Sequence, residues 1–213
     1  MKPFRVKAVL FDFDGTLTRP GALNFVELRE SIGCPQEKAI LEYIDAIENE
    51  KEKNRILSLL EEFEMKGAET SLPGCGVDDL IRYIRAGGLG LGILTRNGLN
   101  PVLRALENFP GISKRDFDVI ITRNDSVKPK PSPEGVRLAA ERMDVHPSEM
   151  VMVGDYLFDI QAGKHAGSIT IYLQHPEVIH RLTPDADFTV SHLHEIPSII
   201  HPGQAQKRRD KAN

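Results

Sequence analysis

The chain has 213 residues, of which 40% are hydrophobic and 27% are charged, as is ordinary for a globular protein with one α/β core and a small insert. Lysine and arginine total 27 while aspartate and glutamate total 31, which gives a net charge of −4 without a basic block, so we expect no nucleic-acid partner. No apolar stretch approaches the ~20 residues of a membrane-spanning helix, the first residues do not resemble a signal peptide, and the two cysteines lie far apart, so we expect a cytoplasmic protein without a membrane partner.

Short runs of apolar, often β-branched residues recur along the chain and predict six β-strands. The runs cover residues 6–11, 89–95, 118–122, 149–153 and 168–173, with a weaker candidate at 187–190. Between them, amphipathic patterns predict helices over residues 77–86, 99–108, 133–143 and 157–166. Strands that are apolar throughout and alternate with helices are typical of a parallel sheet covered on both faces. We therefore predict an α/β fold with a parallel sheet flanked by helices.

The segment of residues 19–72 interrupts this alternation, because it has helical composition but no strand candidate. Helical spacing of Glu, Lys, Leu and Ile over residues 36–48 and 51–66 predicts two or three helices. The segment comes directly after the acidic loop of the first strand, which favours a small all-helical cap that covers a binding site. The alternative is that these helices simply cover the sheet. The predicted organisation is a core of residues 1–18 and 73–200, a helical cap of residues 19–72, and a disordered tail of residues 201–213.

Reactive side chains follow four of the predicted strands at their carboxyl ends, where open parallel sheets bind ligands. They are Asp12 and Asp14 after the first strand, Thr95, Arg96 and Asn97 after the second, Lys128 and Lys130 after the third, and Asp155 and Asp159 after the fourth. Gathering several carboxylates is costly unless a cation is present, and a set of oxygen ligands favours Mg²⁺. A magnesium ion beside a threonine hydroxyl and a lysine ammonium is a receptor for a phosphoryl group.

The spacing of Asp12 and Asp14 indicates a division of labour, because side chains two residues apart on an extended segment point the same way. One carboxylate can attack phosphorus while the other, if protonated, reaches the bridging oxygen. Gly15 permits the sharp turn and close backbone approach that a phosphate site needs.

Four short segments form a set of motifs: Asp12-Phe13-Asp14-Gly15-Thr16, Ile93-Leu94-Thr95-Arg96-Asn97, Lys130-Pro131-Ser132-Pro133 and Gly154-Asp155-Tyr156-Leu157-Phe158-Asp159. Each alone is common, but all four in this order, each at a predicted strand end or in the following loop, resemble the haloacid dehalogenase-like hydrolases. The resemblance covers roughly residues 6–175 and is greatest to the phosphatase branch with a small helical cap, such as phosphoglycolate phosphatase-like proteins. It implies a Rossmann-like core and magnesium-dependent hydrolysis through an aspartyl-phosphate.

The resemblance implies four catalytic residues. Asp12 is the expected nucleophile, and Asp14 is expected to protonate the leaving group and then to activate water. Thr95 is expected to bind a phosphoryl oxygen, and Lys130 to offset negative charge. Lys128 competes for that last role, but the Lys-Pro-x-Pro frame favours Lys130.

The resemblance also implies a magnesium site and a substrate-binding loop. Asp155 is expected to ligate the metal directly, together with Asp12 and the backbone carbonyl of Asp14. Asp159 is expected to ligate through water or to orient Lys130, and the alternative is that it only caps its helix. Arg96 and Asn97 either contact substrate or shape their loop. The predicted substrate-binding residues are Phe13, Gly15, Thr16, Arg96 and Asn97.

The expected substrate is a small phosphorylated metabolite, because the acid at Asp14 favours phosphate esters over carbon–halogen bonds. Family analogy suggests phosphoglycolate or a sugar phosphate. Near the start of the insert, candidate contacts to the leaving group are Arg19, Asn24, Phe25 and Arg29. Two alternatives are a phosphomutase of the sugar-phosphate type and a non-catalytic phosphometabolite-binding protein. The seven histidines are expected at the surface or in loops, away from the motifs.

Overall fold

The computed structural model describes residues 3–177, 184–201 and 206–207. Six strands form one parallel sheet in the order β3-β2-β1-β4-β5-β6. Their bounds are β1 Ala8–Phe11, β2 Gly90–Leu94, β3 Val119–Ile121, β4 Met150–Gly154, β5 Ile169–Leu173 and β6 Phe188–Val190. The predicted Rossmann-like α/β fold is therefore confirmed, and it includes β6, for which the sequence pattern was weaker than for the other strands.

Helices cover both faces of the sheet, which is why its central strands are apolar throughout. Successive residues of β1 point to opposite faces: Val9 and Phe11 belong to one apolar cluster, whereas Ala8 and Leu10 belong to another. Buried side chains of α4 (Val77–Ala86) and α5 (Leu99–Leu106) complete the first cluster. Those of α6 (Glu134–Arg142) and α7 (Leu157–Ala166) complete the second. The sheet and its helices thus form a three-layer core.

The helical insert, residues 19–72, lies between β1 and α4 and contains α1 (Phe25–Ile32), α2 (Ile40–Asp45) and α3 (Glu50–Thr70). Its helices enclose a small apolar cluster of their own, formed by Leu28, Ile32, Cys34, Ile44, Ile56 and Leu60. The helix expected over residues 36–48 spans only Ile40–Asp45, and it begins late because the Arg29 guanidinium binds the carbonyls of Pro35 and Lys38 and holds the preceding segment as a turn.

The insert leaves and rejoins the core at one place. Thr18 pairs with Pro73 in an antiparallel bridge, and the N–H of Arg19 donates to the carbonyl of Leu72 at 2.9 Å. Further along, α3 rests on the core, since the Asn108 amide donates to the carbonyl of Ala68 at 2.9 Å. One face of the insert is therefore fixed to the core.

Most of the expected disordered tail, residues 201–213, lies outside the described residues. Within it, Gln206–Lys207 forms a two-residue antiparallel pair with Pro3–Phe4. Among the helices that the structure describes, none has the length and apolar character needed to cross a membrane.

Candidate active site

Three carboxylates meet at the carboxyl ends of β1 and β4. These strands are neighbours in the sheet, and the N–H of Asp12 continues their pairing by donating to the carbonyl of Val153 at 2.8 Å. Asp12, Asp155 and Asp159 each place one carboxylate oxygen within 4.8 Å of the other two. Asp12 is 8% exposed and Asp159 is 1% exposed. The sheet therefore assembles the acidic cluster that the sequence predicts.

Lys130 lies in the middle of this cluster. Its ammonium contacts an oxygen of Asp12 and lies 2.6 Å from Oδ1 of Asp159, and the residue is 3% exposed. The competing Lys128 has a side chain that is 80% exposed and lies 3.8 Å from Glu134. The structure thus brings Lys130, and not Lys128, to the predicted site.

Burial shapes the electrostatics of the cluster. Removal from water, reinforced by the charge of Asp12, raises the pKa of Asp155 and of Asp159 above the ordinary range of a carboxyl group. Burial opposes the charged form of Lys130, but the carboxylates beside it hold its pKa above the usual value. Among the described residues, the Lys130 ammonium pairs with two of the three clustered carboxylates, those of Asp12 and Asp159. This oxygen-only donor set, crowded and short of positive charge, fits a hard divalent cation such as Mg²⁺.

Asp159 performs two of the tasks considered for it from the sequence. One of its oxygens accepts the N–H of Tyr156 at 3.0 Å and so caps the first turn of α7. The other pairs with Lys130. Gly154 makes this approach sterically feasible, because a Cβ there would lie only 2.3 Å from the Cβ of Asp159.

The loop after β1 folds tightly against Asp155. Gly15 has a φ of +75°, and a Cβ at this position would lie 2.4 Å from Oδ2 of Asp155. The hydroxyl of Thr16 donates to Oδ1 of Asp155 at 3.3 Å. The ring of Phe13 is buried and stacks on Phe109 with 6.2 Å between centroids, so only the backbone of Phe13 is available to a ligand.

Asp14 faces a different set of groups from Asp12. The side-chain amide of Asn97 donates to Oδ2 of Asp14 at 2.6 Å. Burial, followed by the negative charges of Asp12 and Glu64, raises the pKa of Asp14 to about 7, against the opposing effects of Lys130 and Asn97. Asp14 can therefore hold a proton near neutral pH, which is the state that a general acid needs.

The strand-end loop, residues 95–98, follows β2. Thr95 is 5% exposed, and its Oγ1 accepts the N–H of Asn97 at 3.1 Å, which leaves its hydroxyl hydrogen free to donate to another acceptor. Arg96 binds the carboxylate of Glu42 in the insert through both terminal nitrogens, one of them at 3.0 Å. The same guanidinium contacts the carbonyl of Lys130 and lies 5.0 Å from the ring centroid of Phe158.

A cavity of about 470 Å³ separates the strand ends from the insert. On the core side its lining includes Asp12, Asp14, Thr95, Asn97, Lys130 and Asp155. On the insert side it includes Phe25, Arg29, Lys38, Ile40, Leu41 and Leu60. Of the four insert residues expected near the leaving group, Phe25 and Arg29 therefore line the cavity. Arg19 instead donates to the carbonyl of Pro73 at 3.3 Å, and Asn24 caps α1.

The sequence interpretation missed four residues that contact the site loops. Glu42 and Glu64 reach the strand-end loop from the insert, and Arg123 pairs with Glu64. His175, a histidine expected to lie away from the motifs, contacts the carbonyl of Gly15. Only Glu64 has a local signal, since it occupies the buried stripe of α3 that also contains Ile56, Leu60, Gly67 and Ala68. A carboxylate on such a stripe indicates a buried partner.

Comparison with known proteins shows what this chain is similar to. Residues 6–167 match the family described as haloacid dehalogenase-like hydrolase. The chain is 34% identical over 200 residues to the uncharacterized hydrolase YOR131C of Saccharomyces cerevisiae, covering 92% of this chain and 91% of that protein. It is 33% identical over 180 residues to the pyrophosphatase PpaX of Bacillus velezensis, covering 78% and 82% respectively. The structure of CbbY from Rhodobacter sphaeroides in complex with phosphate matches with a TM-score of 0.69 and 25% identity, covering 90% of this chain and 96% of that chain.

Proposed function

We propose that this chain, which belongs to the haloacid dehalogenase-like hydrolases, is a magnesium-dependent phosphatase that hydrolyses a small phosphorylated metabolite through an aspartyl-phosphate. The family match confirms the family and the hydrolase class that the four motifs predict. The relatives agree with the predicted hydrolysis of a phosphorylated compound, since one is named a pyrophosphatase and another was solved with phosphate bound.

The observation that carries the proposal is the arrangement of Asp12, Asp14, Thr95 and Lys130 around one cavity. A nucleophile, a proton donor, a hydroxyl and an ammonium are the groups that phosphoryl transfer through a covalent intermediate requires. Asp12 and Asp14 differ in partners as their proposed roles demand, because Lys130 binds Asp12 whereas the neutral amide of Asn97 binds Asp14.

In the first step, a carboxylate oxygen of Asp12 attacks phosphorus, and the bond between phosphorus and the ester oxygen breaks. The proton of Asp14 passes to that ester oxygen, so that a neutral alcohol leaves and Asp14 becomes a carboxylate. The Thr95 hydroxyl donates to a phosphoryl oxygen, while the Lys130 ammonium offsets the negative charge of the phosphoryl group and of Asp12.

In the second step, the Asp14 carboxylate takes a proton from a water molecule, and the water oxygen attacks the phosphorus of the aspartyl-phosphate. The bond between phosphorus and the Asp12 oxygen then breaks. Inorganic phosphate leaves, and both aspartates return to their starting protonation states. The two steps therefore balance with water as the only co-substrate.

The residues that would hold Mg²⁺ are Asp12 and Asp155, with Asp159 of the same cluster acting through water; the family resemblance adds the backbone carbonyl of Asp14. When bound, the ion supplies positive charge that offsets the crowding of carboxylates and the charge of the phosphoryl oxygens. The Thr16 hydroxyl and the capping contact of Asp159 hold two of these carboxylates in orientation.

The helical insert acts as the cap that selects the leaving group, with residues 1–18 and 73–200 as the catalytic core. This assignment is supported by the cavity, which has the strand-end groups on one side and Phe25, Arg29 and Ile40 on the other. A cavity of about 470 Å³ has room for a small metabolite, so phosphoglycolate and sugar phosphates are the first substrate classes to test.

The two free cysteines support a reducing, cytoplasmic location.

The proposal is tested by incubating the chain and Mg²⁺ with a panel of phosphorylated metabolites while the release of inorganic phosphate is measured. We expect turnover of at least one ester, and mass spectrometry of the acid-quenched protein should find a phosphoryl group on Asp12. Transfer of the phosphoryl group to a second sugar phosphate would favour the phosphomutase alternative. Binding of an ester without turnover would favour the non-catalytic alternative.

A further inference from the structure

A carboxylate of the insert, Glu64, binds the strand-end loop that carries Thr95 and Asn97. Glu64 lies on α3 and is 4% exposed. Its two oxygens lie 2.6 and 2.9 Å from the guanidinium of Arg123, and Oε2 also accepts the N–H of Gly98 at 3.1 Å. A carboxylate this deeply buried is costly unless it is paired and hydrogen-bonded. These contacts meet that condition and attach the insert to the loop.

Arg123 extends the attachment along the strand-end loop. Its Nη1 donates to the carbonyl of Arg96 at 3.2 Å, and its backbone N–H donates to the carbonyl of Asn97 at 2.9 Å. Glu64 therefore holds the loop directly at the N–H of Gly98 and, through the Arg123 guanidinium, at the carbonyl of Arg96, while the backbone of Arg123 binds the carbonyl of Asn97. The backbone on both sides of the Asn97 side chain is fixed in this way.

The strand-end loop in turn holds the proposed general acid. Asn97 donates through its side-chain amide to Oδ2 of Asp14 at 2.6 Å and so fixes the orientation of its carboxyl group. Asp12 is held differently, by its N–H bond to the carbonyl of Val153 in β4 and by Lys130. A shift of the strand-end loop would therefore displace Asp14 while leaving the nucleophile in place.

We propose that Glu64 is a positioning residue for proton transfer to the leaving group, acting through Arg123 and Asn97 on Asp14. The inference rests on the proposed function and deepens it. A residue with a purely structural role would lower the turnover of every ester alike. A residue that positions the acid lowers turnover only as far as the leaving group needs a proton.

The test compares kcat/KM for two esters in the full chain with Mg²⁺. One is p-nitrophenyl phosphate, whose aryl oxide leaves readily without a proton, and the other is the best alkyl phosphate of the metabolite panel. In Glu64→Gln we expect kcat/KM to fall on the order of 100-fold for the alkyl ester and to stay within about threefold for the aryl ester. Because kcat/KM reports steps up to formation of the aspartyl-phosphate, the later role of Asp14 in activating water does not enter.

A matched control is Glu61→Gln, one turn earlier on α3. Glu61 accepts a hydrogen bond from Asn100 at 3.1 Å, a contact between insert and core that does not involve the strand-end loop. This variant should leave the ratio of the two kcat/KM values unchanged. Arg123→Lys keeps the positive charge but has fewer hydrogen-bond donors. It should shift the ratio of the two kcat/KM values in the same direction as Glu64→Gln. It therefore replaces Glu64→Gln in the test if that variant folds poorly.

Coupling to Asn97 gives a second readout. If Glu64 acts through Asn97, adding Glu64→Gln to Asn97→Ala should lower the alkyl-to-aryl ratio no further than Asn97→Ala alone. Equal losses for both esters in Glu64→Gln, or additive effects in the double variant, overturn the proposal. Retained turnover in Asp12→Asn would contradict the proposed function instead, so the two failures are distinguishable.

Discussion

Charged side chains are largely buried in the cluster of Asp12, Lys130, Asp155 and Asp159 but more exposed at the face of the helical insert. In the cluster, Lys130 and Asp159 have side chains that are 3% and 2% exposed and lie 2.6 Å apart. At the face of the insert, the pair formed by Arg96 and Glu42 has side chains that are 21% and 47% exposed. The first pair lies in a medium that strengthens electrostatic interactions, whereas water and salt screen the second. The cluster is therefore suited to chemistry, and this face of the insert to contacts that form and break.

This difference predicts that substitutions in the two regions lower turnover by different amounts. Changes in the cluster should lower the turnover of every ester to a similar extent, because the phosphoryl group is common to all of them. Changes in the insert should be smaller and should depend on the leaving group or on salt. The pair of Glu64 and Arg123 stands between these two classes, since it joins the insert to the core and its side chains are 4% and 15% exposed, less than those of Glu42 and Arg96.

The largest effect is expected from Asp12→Asn. An amide of the same shape cannot attack phosphorus, so kcat/KM should fall about 10,000-fold for all esters. Phosphate release and thermal unfolding should be measured together, because the variant should remain folded. Turnover near that of the unchanged protein would show that Asp12 is not the nucleophile.

Removal of the metal should have the next largest effect. Excess EDTA should lower turnover at least about a thousandfold, since a catalytic metal supplies several kcal/mol, and added Mg²⁺ should restore it. A binding readout sharpens the test: Mg²⁺ should raise the Tm of the unchanged protein and should raise that of Asp155→Asn much less. Full activity in EDTA would contradict the metal assignment.

Lys130→Met should lower kcat/KM on the order of 100-fold, because the ammonium that offsets the charge of Asp12 and of the phosphoryl group is lost. Lys128→Met is the matched control, because Lys128 is two residues away and its side chain is 80% exposed and lies beside Glu134. It should leave kcat/KM unchanged. A comparable loss in both variants would mean that the loop as a whole, and not the Lys130 charge, is what matters.

The smallest effect is expected from Glu42→Gln, which removes an exposed ion pair between insert and core. Such pairs contribute little in water, so kcat/KM should change by no more than about fivefold. Raising the salt concentration should change KM of the unchanged protein more than KM of the variant, since salt screens the pair that the variant lacks. Glu48→Gln, also an exposed acid of the insert, is the control. A loss as large as that of Lys130→Met would place Glu42 in the catalytic machinery.

Much of the core could be predicted from residue patterns. The six apolar runs became the six strands, and Asp12, Asp14, Thr95, Lys130 and Asp155 all line one cavity. This was predictable because a buried parallel strand needs an unbroken apolar run. Since parallel strands end at the same edge of the sheet, the polar residues after each run must also lie near one another.

The insert could be predicted only as helical. The start of α2 depended on the Arg29 contacts. The contacts of the insert to the core join residues far apart in the chain: Glu42 is 54 positions from Arg96, and Glu64 is 59 from Arg123. In a helix rich in Glu and Lys, a carboxylate that will be buried differs from its solvated neighbours only by its place on the apolar stripe.

Sequence patterns alone thus determined the sheet, the order of its strand ends and the kind of chemistry expected there, because these follow from local periodicity and from the geometry of parallel strands. Only the tertiary structure decided which acid of the insert meets the strand-end loop, and that Asn97 faces Asp14 at 2.6 Å. Those contacts depend on how two separately packed apolar clusters dock, and docking geometry is set by the shapes of whole surfaces and not by any short segment.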